Sequence, residues 1–392
     1  MLTHLQHHFH FPHALNRELT ELYASISIRS FAIGLVSIFE PIYIFLFFNF
    51  SIPKTLLFFA VIRGLFGILS PFGAKIITRI GVKHSFLLTA PILFFYYLAL
   101  WHIQAGFWVV ISAIILAVIY SIIFWPAFHI DFCRFTPREK RGFEVSKRNV
   151  AISLSAAIAP FIGGVILIKY GFPILFLMVL ILLFVSVLPL FLSQEIHETY
   201  ADSFERAFGE LRQKKYRNAV LAFSANGIER AVSFLIWPLF LFISAIDYSS
   251  IGQITSGALI LGMIASLYIG RLTDRTNRQK LLRIGSMLMG ITWLIKMVIR
   301  TPLDAFLAHT LYRFAMPAAY IPYLSSFYDM AARKDVNRDR IIILREISAN
   351  LAMCVLLLIL AFILSFVNTL IWIFPIAALA SLGFVFIAKS EE

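Results

Sequence analysis

SQEIHETYADSFERAFGELRQKKYRNA, residues 193–219, is a charged, helix-compatible run in the middle of a chain of 392 residues that is otherwise strongly apolar. Hydrophobic residues make up 60% of the sequence and charged residues 14%, with a mean hydropathy of +0.85. A soluble domain carries roughly a quarter charged residues. On both sides of the run, apolar stretches of about 20 residues, long enough to cross a bilayer as helices, alternate with short polar connections. Six precede it, near 25–48, 55–76, 85–102, 107–129, 149–168 and 172–192. Six follow it, near 220–244, 251–271, 281–299, 305–328, 347–366 and 370–388. This predicts an all-α membrane protein with an N-terminal six-helix bundle (1–192), a cytoplasmic linker (193–219) and a C-terminal six-helix bundle (220–392).

The charges orient these spans. With the N-terminus inside, the cytoplasmic segments hold 26 of the 34 Lys and Arg residues and the outer loops hold only Lys54, Lys169 and Arg300. Lys and Arg accumulate on the cytoplasmic side of membrane proteins. Both termini are therefore expected in the cytoplasm, with the chain in a plasma membrane, the inner membrane of a bacterium. The net charge of +13 follows from this topology and does not point to nucleic acid. The start lacks the basic region, short apolar core and cleavage site of a removable signal peptide, so the first span is expected to remain. Cys133 and Cys354 are too far apart in sequence to suggest a disulfide framework or a thiolate metal site. The histidines of HLQHHFHFPH, residues 4–13, read as an amphipathic tail rather than a metal site. No phosphate-binding Gly loop, HExxH or GxSxG is present, so neither an enzyme nor a cofactor is expected.

The two halves repeat. EPIYIFLF (40–47) echoes WPLFLFIS (237–244), with Pro41 and Pro238 separated by 197 residues. GAKIITRIGVKH (73–84) echoes IGRLTDRTNRQK (269–280), and RNVAIS (148–153) echoes REISAN (345–350), at offsets of 196 and 197. A shared offset of half the chain fits two parallel copies related by an axis along the membrane normal.

On these residues the sequence resembles the major facilitator superfamily. In GRLTDRTNRQK, Gly270, Leu272, Asp274, Arg275, Arg278 and Lys280 match the family's loop between spans 8 and 9, with Asn277 in place of a Gly. The loop between spans 2 and 3 keeps Arg79 and Gly81 but has Thr78 where Asp is usual. In span 5, APFIGG is similar to the family's antiporter signature through Pro160, Gly163 and Gly164, with Ala159 in place of Gly. The Arg often found in span 4 of the drug exporters is missing. The resemblance implies twelve helices in two bundles, a gating role for these loop and span-5 residues, and a monomer in the lipid bilayer. It also implies that spans 1, 4, 7 and 10 line a central cavity.

Independently of the resemblance, charges inside spans are costly, at least ~2.5 kcal/mol near the bilayer centre, and face a partner or a wet cavity. Glu40 and Arg63 lie eight residues from the outer ends of spans 1 and 2, at one depth, which predicts an ion pair. Arg29 and Glu40 are eleven residues apart and share a face, continued by Tyr43. Asn226, Arg230, Ser233 and Trp237 form a stripe on span 7, and His309, Arg313, Met316, Tyr320 and Tyr323 one on span 10. Such stripes line a cavity or hydrogen-bond neighbouring helices. Arg29, Tyr43, Asn226, Arg230, Trp237, His309, Arg313 and Tyr320 are the candidate substrate contacts. Glu40 and Glu229, the only acids well inside the spans, are the candidate proton carriers. Lys296 lies near the outer end of span 9 and is expected to snorkel to the interface.

The expected function is secondary active transport of a small organic solute, anionic or zwitterionic, by alternating access. Proton coupling is expected, and APFIGG favours export. A channel or lipid scramblase, and a non-transporting sensor or assembly partner, are the alternatives.

Overall fold

In a computed structural model of the chain, the described residues are 25–135, 141–188, 204–333, 338–367 and 369–390. The histidine-rich start and linker residues 193–203 lie outside them. The helices are α1 (Ser25–Phe47), α2 (Ile52–Ile80), α3 (Val82–Trp101), α4 (Phe107–Phe135), α5 (Arg141–Ala156), α6 (Ala159–Val187), α7 (Lys214–Ile243), α8 (Tyr248–Arg275), α9 (Arg278–Ile295), α10 (Pro302–Ala331), α11 (Arg338–Ile363) and α12 (Ile371–Ala388). Ten of these stretches are long and apolar enough to cross a membrane. They include α6, which is two helices joined at Gly171, where φ is +74° and the backbone leaves the helical region. The fifth span is thus α5 with the first arm of α6, and the sixth is the second arm. The remaining span is α10, whose Asp304, Arg313 and Asp329 lower its hydropathy. Twelve spans result, and the architecture is the expected one.

The repeat is visible in local geometry. Proline has no N–H to donate and its ring crowds the carbonyl four residues back, so a helix breaks or widens there. Pro41 bears on Ser37, and α1 is interrupted by a turn at residues 37–39. Pro238 bears on Phe234, and α7 widens into a π turn over Val232–Ile236. Each break is followed by a short half-helix, Glu40–Phe47 and Trp237–Ile243. These half-helices meet through Phe45 and Phe242, whose ring centroids lie 6.4 Å apart.

Across the halves, α2 packs on α11, and α5 and α6 pack on α8. Glycines permit the closest approaches. A Cβ at Gly163 would overlap the Leu35 carbonyl oxygen of α1, and one at Gly164 would overlap the Tyr248 carbonyl oxygen of α8. Outward-facing apolar side chains such as Phe184, Ile264, Phe362 and Trp372 are each more than two-thirds exposed, as a lipid-facing surface requires. The described part of the linker forms a short helix, Phe204–Gly209, followed by Glu210, which is buried and pairs with Arg340 of α11 at 2.9 Å.

Candidate functional site

In the N-terminal half, Glu40 opens the second half-helix of α1 and is partly exposed. Its carboxylate accepts hydrogen bonds from the Tyr96 hydroxyl (2.8 Å) and the Tyr97 hydroxyl (3.3 Å) of α3. These tyrosines, rather than Arg63, are its direct partners. Arg63 acts on Glu40 through space, and its Nε has no hydrogen-bond partner among the described residues. Arg29 is buried, donates to the Thr89 hydroxyl at 3.1 Å, and lies 4.3 Å from the Phe124 ring centroid and 5.0 Å from that of Tyr120. Its Nε and one terminal nitrogen remain without partners among the described residues. Tyr43 donates to the Leu100 carbonyl at 2.8 Å and packs on Phe172 and Phe176, so its hydroxyl is engaged in holding α1 to α3.

In the C-terminal half, the carboxylate of Glu229 is buried on α7. Its Oε1 accepts from the Tyr312 hydroxyl of α10 (2.7 Å) and from Trp293 Nε1 of α9 (3.2 Å). Ser233, in the π turn, lies 3.2 Å from the same Tyr312 hydroxyl. Lys296 does not snorkel. It is fully buried, and its ammonium nitrogen lies 3.8, 4.1 and 4.3 Å from the ring centroids of Trp293, Trp237 and Tyr312. Three aromatic faces attract the cation through their quadrupoles more strongly than the distant interface does. Trp237 also stacks on His309 at 5.2 Å, and Arg313 Nε donates to His309 Nε2 at 3.4 Å. The predicted residues Glu229, Trp237, His309 and Arg313 thus form one cluster, to which Lys296, Trp293 and Tyr312 are added. One signal for Trp293 was in the repeat. Tyr97, a donor to Glu40, and Trp293, a donor to Glu229, stand at the offset of 196 residues.

Between the halves, the partly exposed Arg230 reaches across, its guanidinium carbon 5.4 Å from the Trp125 ring centroid of α4. Asn226 is fully buried, with neither side-chain amide atom partnered among the described residues. Tyr320 is partly exposed and packs on Tyr323.

Where α8 meets α5, Asp274 accepts from the backbone N–H groups of Gly142 and Phe143, both at 2.8 Å. A carboxylate there satisfies donors left open at the start of α5 and faces the positive end of its dipole. Gly270 lets Ser146 approach α8, and Gly81 ends α2 with φ at +84°. Arg278 and Arg141 both pair with Asp329 of α10, the latter at 2.8 Å, whereas Arg79 and Arg275 are exposed. Pro160 starts α6, and its carbonyl lies against Gly252 of α8. Deeper in, His129 Nδ1 lies 2.7 Å from the Tyr328 hydroxyl, and Arg345 donates to His129 Nε2 at 2.9 Å and to Glu346 at 2.5 Å. All four side chains are buried and link α4 to α10 and α11. In the sequence, Arg345 and Glu346 stand out only as part of the repeated REISAN, and nothing marks His129, Arg141 or Asp329.

Twelve spans in two repeated halves, with buried charges between and within them, define a polytopic membrane protein. The sequence matches the family model of the Major Facilitator Superfamily over residues 22–338, and the chain belongs to that superfamily. It is an integral membrane protein of a transporter family. No curated protein matches it. Among solved structures it is similar to the fucose:proton symporter FucP of E. coli, with a TM-score of 0.67 and 15% identity over 95% of this chain and 98% of that one. FucP in the outward conformation gives a TM-score of 0.66 and 14% identity over the same shares. The human organic anion transporter MFSD10 gives 0.71 and 13%, over 95% of this chain and 99% of that one. These likenesses concern the fold.

Proposed function

We propose that the chain carries a small organic solute across the membrane by alternating access, coupled to protons, with residues 1–192 and 220–392 as the two rocking bundles. The observation that carries this reading is the asymmetry of the contacts between the halves. At the cytoplasmic end they are reversible polar bonds from Asp274, Asp329 and the His129–Arg345 cluster. At the outer end Phe45 meets Phe242. Both sets are made here, and rocking that breaks one while the other holds exposes Arg230, Asn226 and Tyr320 to alternate sides. Arg29, Arg230 and Arg313 outnumber the intramembrane acids on the proposed solute path, which favours an organic anion or zwitterion. Glu40 and Glu229 are the proton-coupling candidates. Both termini lie in the cytoplasm, the membrane is a bacterial inner membrane, and the carrier is a monomer. Export is the direction we favour, on the likeness of APFIGG to the antiporter signature.

The test is a thermal-shift screen of the purified protein with organic anions, zwitterions and lipophilic cations. A ligand at a hundredfold its Kd adds about 2.7 kcal/mol to the stability of the folded state. Anions or zwitterions are expected to stabilise, and Arg313→Ala or Arg230→Ala to remove the shift. The stabilising compound is then expected to show saturable counterflow in proteoliposomes. Non-saturating flux would identify a channel or scramblase, and binding without exchange would identify a sensor. Stabilisation by cations that Glu40→Gln or Glu229→Gln removes would overturn the anion assignment.

A further inference from the structure

The two intramembrane glutamates differ in what surrounds them, and the difference bears on which one exchanges a proton. Glu229 and Lys296 flank the same two rings. Trp293 and Tyr312 each give a polar hydrogen to the Glu229 carboxylate and a ring face to the Lys296 ammonium. Trp237 closes the third side of the ammonium. Lys296 is fully buried, and its nitrogen has no hydrogen-bond acceptor among the described residues. The ring quadrupoles and, through space, the Glu229 carboxylate favour its ammonium form against the cost of burial. The other titratable or charged groups around Glu229 are Arg230 on its own helix and, from α10, Tyr312, His309 and Arg313. Every fixed charge in that set except Glu229 is positive.

Neither glutamate is hydrogen-bonded to a cation among the described residues; Arg63 acts on Glu40 through space as Lys296 does on Glu229, but only Lys296 lies over the rings of the carboxylate's own donors. The partners of Glu40 are two tyrosine hydroxyls, and it is partly exposed where Glu229 is buried. The groups facing it are Tyr96 and Tyr97 from α3 and, through space, Arg63 from α2. A tyrosine hydroxyl both donates and accepts. The pair can therefore donate to the ionised carboxylate and accept from the protonated one without rearrangement of the helix. The indole N–H on Glu229 can only donate.

We propose that Lys296 is the built-in counter-cation of Glu229, which keeps that carboxylate ionised throughout the cycle, and that Glu40 alone carries the exchanged proton. A hydronium ion on the open side gives its proton to a Glu40 carboxylate oxygen and becomes water, and when the site faces the other side that O–H bond breaks and water there takes the proton. The Glu229–Lys296 pair then acts as a positioning element that holds α7, α9 and α10 together across the π turn. This inference rests on the proton-coupled reading above, and it divides the work between the two acids.

Infrared difference spectra of the purified protein, recorded between mildly acid and mildly alkaline pH, read carboxyl protonation without a known substrate. The wild-type protein is expected to show one reversible intramembrane carboxyl band, which Glu40→Gln removes and the pair variant Glu229→Gln/Lys296→Met keeps. Lys296→Met alone is expected to add a second band, from the uncompensated Glu229. Loss of the wild-type band in the pair variant, with its survival in Glu40→Gln, would overturn the assignment while leaving proton coupling in place. Absence of any titrating carboxyl in the wild-type protein would overturn both. Because Lys296→Met leaves a buried charge unpaired, its fold is checked by size-exclusion elution. The pair variant removes both charges and keeps the comparison decisive if the single variant does not fold.

Discussion

Asp274, in the last turn of α8, holds the backbone of Gly142, in the first turn of α5, through a hydrogen bond of 2.8 Å. The side chain belongs to one half of the chain and the helix it caps to the other. Loss of a capping side chain costs about 1 kcal/mol. Asp274→Ala is therefore expected to loosen the contact between α8 and α5. Hydrogen exchange at the Gly142 and Phe143 amides should accelerate several-fold relative to wild type. Unchanged protection there would show that the cap does not hold the two halves.

The approach of α6 to α1 and α8 is set by backbone against backbone. Gly164→Val is expected to lower stability by about 1–3 kcal/mol, the usual range for overpacking, because its side chain would enter the space of the Tyr248 carbonyl. Gly209→Ala, in the linker, meets nothing within 4 Å and should leave the melting temperature near that of wild type. Equal melting temperatures for Gly164→Val and wild type would mean that the helices do not meet this closely.

Arg345 and Glu346 are each 1% exposed and bonded to one another and to their neighbours. Removing one member of a buried charge pair costs about 3–5 kcal/mol, because the other charge is left uncompensated. Arg345→Met should fall in that range, and Arg345→Met/Glu346→Gln should recover a large part of the loss. Denaturant or thermal unfolding of both variants decides this. A double variant less stable than the single one would show that each charge serves a different partner.

Two exposed carboxylates, Asp247 at the N-cap of α8 and Asp304 in the capping turn of α10, predict the acid limb of stability. The Ser250 hydroxyl, with the backbone N–H groups of Ser249 and Ser250, holds the Asp247 carboxyl below its ordinary range. The backbone N–H of Arg300 and the hydroxyl and N–H of Thr301 do the same for Asp304. A carboxyl depressed in the folded state stabilises it fully above the unfolded value, about pH 4, and that contribution fades as pH falls through the folded value. Asp304→Ala and Asp247→Ala should each flatten the fall in melting temperature below about pH 4. A slope identical to wild type would show that these caps do not titrate with folding.

The membrane class, the twelve spans and the repeat follow from the sequence because they depend on composition and period. A bilayer admits long apolar helices and little else, so runs of the right length are enough to place them. The loop motif of Gly270, Asp274 and Arg278 was also legible, but not its contacts, because Gly270 meets Ser146, Asp274 caps α5 and Arg278 pairs with Asp329, all distant in the chain. The prolines were legible as a pair at a fixed offset, and their effect on α1 and α7 follows from the missing N–H.

Which charges meet was decided by tertiary structure. From sequence, Glu40 and Arg63 share a depth, but depth leaves the azimuth of each helix open. The packing of α3 brings Tyr96 and Tyr97 to the carboxylate instead. Lys296 stands near a span end in the sequence and is free to snorkel there. Only the convergence of α7, α9 and α10 builds the three-ring cage that turns it inward. The same holds for His129 and Arg345, 216 residues apart, whose bond no periodicity announces. Sequence set what each helix had to bury, because burial in a bilayer is a property of one segment. Packing set which buried groups compensate one another, because that is a property of neighbours the chain brings together only on folding.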